Sequence, residues 1–250
     1  MPDQQGLQAF VDSAVAEEAV FALRPDYRAV LLVVDGLAGG PSDEASEALL
    51  VTAETSARAA LHDHPVEELP HVAAWRDAYR AFGAKPQRTR NSLEALMRRA
   101  EGGLPRVNRL TDTYNAISVL HQVPLGGEDL TRYVGVPRLV RATGEERFDT
   151  ATGGAAVIEH PEPGEVVWRD DEGVTCRRWN WRQARRTQLT NSTTAAFFIL
   201  DALSPLDDAA LGTATEELEE HLRRLGPNVT IARRHIAAAA APTSKPLSNR

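Results

Sequence analysis

Residues 29–37 read AVLLVVDGL, apolar without a break until Asp35. A run this long with no polar alternation predicts a central strand, covered on both faces. A second apolar stretch, TTAAFFILDAL (193–203), predicts another strand of the same kind. These two stretches set the frame into which the rest of the chain must fit.

Around them the periodicity alternates between helix and strand. AVFAL (19–23) reads as a strand leading through the turn RPDYR, with Pro25 and Asp26, into the central strand. Residues 42–61 read as a helix capped by Ser42, with Asp43 and Glu44 at its positive end. In 69–83, Val72, Trp75, Tyr79 and Phe82 fall at helical spacing and Gly83 is the stop. Residues 92–103 predict a helix capped by Ser92 and ended by Gly102. A helix starting near Asp112, with Asn108 and Arg109 fixing its start, puts Leu110, Tyr114, Ile117 and His121 on one face; Pro124 ends it and LGGED is a turn.

The second half is mostly strand and turn. RLVRA, AAVIEH, EVVWRD and VTCRRWNW are short strands, with RDDEGV a hairpin turn between the last two. Residues 206–226 form a helix with Leu211, Leu218, Leu222 and Leu225 along one face, and 228–235 a closing strand. Residues 1–10 and 238–250 read as tails, the latter disordered. The class is α+β, with mixed sheets flanked by helices. No linker is visible, so a single domain over 10–237 is expected.

The acidic N-terminus lacks the basic patch and apolar run of a secretion signal, and no run is long enough to span a membrane. With Cys176 the only cysteine, no internal disulfide can form, and a cytoplasmic location is expected. HDH at 62–64 sets two His two apart, off a common helix face and without a partner cluster, so no metal is expected. No phosphate-loop or dinucleotide glycine pattern appears, and no cofactor is expected. Cys176 beside Arg177 and Arg178 reads more readily as a small core residue than as a nucleophile.

The net charge of -7 argues against coating nucleic acid by bulk charge, and no DNA partner is expected. Yet CRRWNWRQARR (176–186) carries Arg177, Arg178, Arg182, Arg185 and Arg186. As a continuous strand it would point Arg178, Asn180 and Arg182 one way and Arg177, Trp179 and Trp181 the other. That is the pattern of a half-buried strand with a basic face. It is also a pattern for gripping a polyanion, with Arg on phosphate and Trp as a stacking face.

The strings NRLTDTYN (108–115), PLGGED (124–129) and CRRWNWRQ (176–183) together resemble the B3/B4 editing and tRNA-binding module of the phenylalanyl-tRNA synthetase β subunit, in its freestanding form. The resemblance covers most of residues 70–203. It implies an α+β fold like that module's and a freestanding protein that binds tRNA or aminoacyl-tRNA and hydrolyses the mischarged ester in trans. Such hydrolysis needs a pocket for the amino acid, a positioned water and donors for the developing oxyanion.

The module's pocket Asn falls on Asn115, with Tyr114 beside it. Its pocket His falls on Gly126, next to Gly127. Its pocket Glu falls near residues 199–201, where Asp201 is the acid. Glu128 and Asp129 are further candidates, to bind a substrate ammonium or orient water, or else to cap a helical turn. On this reading Asn115, Glu128 and Asp129 are the catalytic set, and Arg177, Arg178, Asn180, Arg182, Arg185 and Arg186 meet RNA. The departures at 126 and 201 leave two alternatives open: binding of an amino-acid-like small molecule, or RNA binding without catalysis.

Overall fold

In the computed structural model of the protein, residues 4–239 are described; the expected tail beyond 239 lies outside them. The chain order is α1 (Gln4–Ser13), β1 (Val15–Ala16), α2 (Glu18–Leu23), β2 (Arg28–Asp35), α3 (Glu44–Ala60), α4 (Pro70–Ala81), α5 (Ser92–Arg99) and α6 (Arg109–Leu120). It continues β3 (Leu125–Asp129), β4 (Arg138–Arg141), β5 (Phe148–Thr152), β6 (Ala155–Glu159), β7 (Val166–Arg169), β8 (Val174–Arg177) and β9 (Arg182–Gln183). It closes with β10 (Ala195–Ala202), α7 (Asp208–Arg223) and β11 (Thr230–Ala237). The class is α+β, as the sequence predicts.

The central sheet has the order β11-β2-β10-β3, and every pairing in it is antiparallel. The two apolar stretches lie side by side in it as β2 and β10, with Val33 opposite Phe197 and Leu31 opposite Ile199. Both are buried on both faces, which is why their sequences do not alternate. One face sends Leu31, Val33, Phe197 and Ile199 against α1, α4 and a five-stranded sheet ordered β1-β4-β7-β8-β9. The other sends Val30, Leu32, Phe198 and Leu200 against α6 and α7. A further cluster, Leu50, Leu93, Met97 and Ala116, joins α3 and α5 to α6. Each such side chain removed from water contributes on the order of 1.5–3 kcal/mol.

Both edges of the central sheet are covered. Along β11, the Gln4 side chain of α1 donates to the Ile231 carbonyl at 3.0 Å and Gln8 to Arg233 at 3.4 Å. Along β3, the Asp129 amide donates to the Thr187 carbonyl at 2.8 Å, and Glu128 bridges Gln188.

Four expectations are corrected. Residues 19–23 belong to helix α2, with Val20 buried; five apolar residues without alternation suit either element. Residues 4–10 are no tail but most of α1, with Leu7 and Val11 fully buried. LGGED is strand β3, because pairing with β10 overrides the turn preference of its glycines. VTCRRWNW is not one strand: it stops at Arg177 and turns back into β9.

Helix starts shift by one residue at α3 and α5 and by three at α6. Asp43, not Ser42, caps α3, exchanging hydrogen bonds with Ser46; Asn91, not Ser92, caps α5. α6 starts at Arg109, its Asn108 cap accepting from the Thr111 amide at 2.8 Å.

Candidate functional site

Between β3, β8, β9, β10, helix α5 and the middle of α6 lies a cavity of about 480 Å³. Trp168, Trp179, Trp181, Tyr114, Leu96 and Ile199 give it apolar walls; Asn115, Glu128, Asn180, Gln183 and Asp201 bring the polar groups. Sheet register assembles much of it. Gly126 pairs with Ile199 and Glu128 with Phe197, so Gly126 and Glu128 share a face with Ile199 and Asp201. The Asp201 amide is held by the Pro124 carbonyl at 3.0 Å, which continues the pairing one step further.

Two glycines in β3 do different jobs. A β-carbon on Gly126 would stand 3.0 Å from the Gln183 amide nitrogen, which donates instead to the Gly127 carbonyl at 2.9 Å. The Gln183 carboxamide therefore takes the space beside Gly126 on the cavity face. A β-carbon on Gly127 would meet the Phe198 ring at 2.7 Å on the opposite face, away from the cavity.

The turn from β8 to β9 is tight and built without glycine. Arg178 and Trp179 both adopt left-handed backbone, φ 49° and 68°, where non-glycine residues are strained. Burial and pairing hold them there. The Trp179 ring is fully buried, edge-on to Tyr27 at 4.9 Å and Trp75 at 5.2 Å, and its amide donates to the Val166 carbonyl. Arg177 donates to both oxygens of buried Glu165, at 2.9 and 2.8 Å, and to Glu159 at 3.0 Å. The turn thereby delivers Asn180 into the cavity wall. Its side-chain oxygen accepts from Tyr79 Oη at 3.0 Å, and its amide nitrogen donates to Asp201 at 3.3 Å. Its carbonyl accepts from the Ser92 amide at 2.9 Å, tying the turn to α5.

The two carboxyl groups of the cavity are electrostatically unlike surface acids. Burial pushes Glu128 up to about 7; the Tyr133 and Thr175 hydroxyls and, more weakly, Arg186 pull down against burial and the Asp170 charge. Burial also pushes Asp201 up to about 7, against the hydrogen bonds from Tyr27 (2.8 Å) and Asn180. Asp201 therefore has both oxygens engaged. Glu128 accepts from Tyr133 Oη on one oxygen, and the other, Oε1, is buried with no hydrogen-bond donor. Cys176 sits in the same wall, where burial and the charges of Glu128 and Asp201 push its thiol up. It stays protonated and cannot be a ready nucleophile.

The mouth is basic. Arg88 and Arg90, from the segment before α5, Arg98 and Arg99 at the end of α5, and Arg182 of β9 line it. Arg98 pairs with Glu94 and Glu67, and Arg90 lies 3.7 Å from Glu94. Among the described residues, Arg88, Arg99 and Arg182 have no carboxylate within 4.0 Å. Arg182 stacks on Trp181, its guanidinium 5.2 Å from the ring centre, with Arg178 at 4.4 Å.

The structure thus brings Tyr114, Asn115, Gly126, Glu128, Asn180, Arg182 and Asp201 into one cavity. It places other candidates elsewhere. Asp129 faces away and is consumed as a cap, accepting from the Thr131 amide at 3.0 Å and Thr193 Oγ1 at 2.9 Å. Arg177 is buried in its carboxylate pair, Arg186 grips buried Asp170 at 2.8 and 2.9 Å, and Arg185 meets Asp149 at 3.1 Å. Arg178 donates to Thr89 and stacks on Trp181. The alternation predicted for 177–182 fails because the left-handed turn interrupts it.

Sequence reasoning named Arg182 but passed over Gln183 and the other arginines of the mouth, Arg88, Arg90, Arg98 and Arg99. The signal was there: from Lys85 to Arg99 there are five basic residues against one acid, Glu94, in a chain that is acidic overall.

Among the described residues no helix is long and apolar enough to cross a membrane. The B3/4 domain family model matches residues 74–240 of this chain. No curated protein sequence matches it. Among solved structures it is similar to an N-terminal fragment of the phenylalanyl-tRNA synthetase beta-subunit from Pyrococcus horikoshii, at 13% identity and a TM-score of 0.40. That similarity covers 87% of this chain and 49% of the fragment, so this chain spans about half the fragment's length.

Proposed function

The chain belongs to the B3/4 domain family, and from that premise we propose that it acts on RNA, receiving the aminoacyl end of a tRNA in the cavity and hydrolysing its ester in trans. The observation that carries the reading is one arrangement of charge. An apolar cavity with buried carboxyl and carboxamide groups opens through a mouth where Arg88, Arg99 and Arg182 are unpaired. A phosphate chain at the mouth and an aminoacyl group within would satisfy both parts at once.

The roles follow from chemistry. Arg88, Arg99 and Arg182 hold the phosphates of the 3′ end. Asn115, whose carboxamide makes no hydrogen bond with the described residues, and Gln183 offer donors to the ester carbonyl as negative charge develops on it. Tyr79 and Asp201 orient Asn180 toward the acyl group. Gln183 in place of a His over Gly126 gives this cavity its own selectivity.

The test is release of amino acid from a panel of aminoacyl-tRNAs, tyrosyl-tRNA for phenylalanine among them, alongside titration with uncharged tRNA at several salt concentrations. Release above buffer with at least one species supports the full reading. Salt-dependent tRNA binding without release reduces it to an RNA-binding module. A small amino-acid-like ligand bound with no dependence on salt, and no tRNA binding, replaces it with a metabolite-binding site, which the net charge of -7 favours.

A further inference from the structure

Two carboxyl groups line the cavity, and only one has an oxygen to spare. Asp201 is used up by Tyr27 and Asn180. Glu128, 1% exposed, gives Oε2 to Tyr133 and leaves Oε1 without a donor. Among the described residues no Arg, Lys or His forms an ion pair with it; the free arginines stand at the mouth. A buried carboxylate with neither counter-ion nor full hydrogen bonding is costly, so what enters the cavity must complete it. The neighbouring walls are largely aromatic, Trp168, Trp179 and Tyr114 among them, and supply no competing charge.

We propose that Glu128 is the anchor for a primary ammonium group of the ligand, so that the cavity takes free amines and rejects their N-blocked and uncharged counterparts. The proposal rests on the reading that an aminoacyl group occupies the cavity. It assigns that group an orientation, amine toward β3 and ester toward the mouth. An N-acylated amino acid would leave Oε1 unpaired and is excluded.

Glu128 faces titratable and charged groups from several elements: Tyr133 just after β3, Cys176 on β8, Asp170 and Arg186 beyond the strand ends, and Tyr114 on α6. Tyr133, Cys176 and Tyr114 stay neutral through the physiological range because burial pushes all three up. Asp170 and Arg186 are paired with each other. Glu128 and its like-shifted neighbour Asp201 are therefore the cavity groups that titrate near neutrality. Loading a cation beside Glu128 must expel its proton.

The experiment uses 2-phenylethylamine, its N-acetyl derivative and 2-phenylethanol, titrated calorimetrically into the full chain and into Glu128→Gln. Wild type should bind the amine tighter than the alcohol by about tenfold or more, a difference that a charge-assisted hydrogen bond supplies. Glu128→Gln should bring the two within about twofold, while its unfolding midpoint reports that it remains folded. Should that variant fail to fold, wild type still decides. Repeating the amine titration at pH 7 in buffers of different ionisation enthalpy should reveal proton release on binding. Equal affinity for amine, alcohol and N-acetyl amine, no proton release, or no binding of the amine overturns the proposal. None of these outcomes bears on tRNA binding at the mouth, which the salt-dependent titration measures separately.

Discussion

Gln183 lies over Gly126, its amide nitrogen donating to the Gly127 carbonyl at 2.9 Å and standing 3.0 Å from where a β-carbon at 126 would be. The clash is with the far end of a flexible side chain. Gly126→Ala should therefore cost only about 0.5–1.5 kcal/mol of stability, the worth of the hydrogen bond it disturbs. It should still weaken ligand binding by shifting the carboxamide into the cavity. Unfolding midpoints and ligand titrations on the one variant separate the two effects.

Gly127→Ala is the control on the opposite face. Its added carbon meets the Phe198 ring at 2.7 Å and Leu189 at 3.0 Å, inside a packed layer. Overpacking there should destabilise by about 1–3 kcal/mol in denaturant unfolding while leaving the cavity's selectivity among ligands unchanged.

The arginines divide into two classes with opposite readouts. Alanine at Arg88, Arg99 or Arg182 should lower RNA affinity and reduce the salt slope by about one unit each, with unfolding unchanged. Alanine at Arg177 or Arg186 should instead destabilise the fold by about 3–5 kcal/mol, because buried Glu165 or Asp170 loses its partner. Salt-dependent binding and chemical denaturation on the five variants would show whether any arginine sits in the wrong class.

Glu128 and Asp201 both bind their protons more tightly folded than unfolded, at about 7 against ordinary values of 4.5 and 3.8. Their stabilising contribution is complete below the ordinary values and is lost as pH rises to about 7 and beyond. His71 works the other way: burial lowers it to about 4, so it costs stability below its ordinary 6.5 and ceases to matter above. Subtracting variants isolates each group. The stability of wild type relative to Glu128→Gln should fall by about 3 kcal/mol between pH 4.5 and 8. A flat difference across that range would place Glu128 in a wetter setting than the cavity wall.

How much of this was legible in the sequence depended on whether local or distant forces decided each element. β2 and β10 announced themselves, because burial on both faces leaves no room for polar residues. Helices α3 to α7 showed through their apolar spacing, with the caps of α3 and α5 displaced by a residue, the start of α6 by three and the end of α5 short of Gly102. β3 was invisible, since glycines carry no strand signal and only pairing with β10 makes it one. The break after Arg177 was invisible for the converse reason: nothing in Arg-Trp marks a left-handed turn, and burial of the Trp179 ring helps hold it. Asn115, Glu128 and Asp201 were legible as candidates one by one, but their convergence needed the strand register. The charge of Arg177 and Arg186 was plain; that buried acids claim it was not.

The coverage of the central sheet has a practical meaning for the molecule among its own copies. A bare outer strand is a template on which a second chain can pair and fibres can grow. Here Gln4 and Gln8 occupy outward carbonyls of β11, and Thr187 and Gln188 close off part of β3. At both ends of the sheet, part of the backbone that a second chain would pair with is already taken. Trimming α1, most of which read as a tail, would strip one of those guards and at the same time uncover the core that Leu7 and Val11 fill.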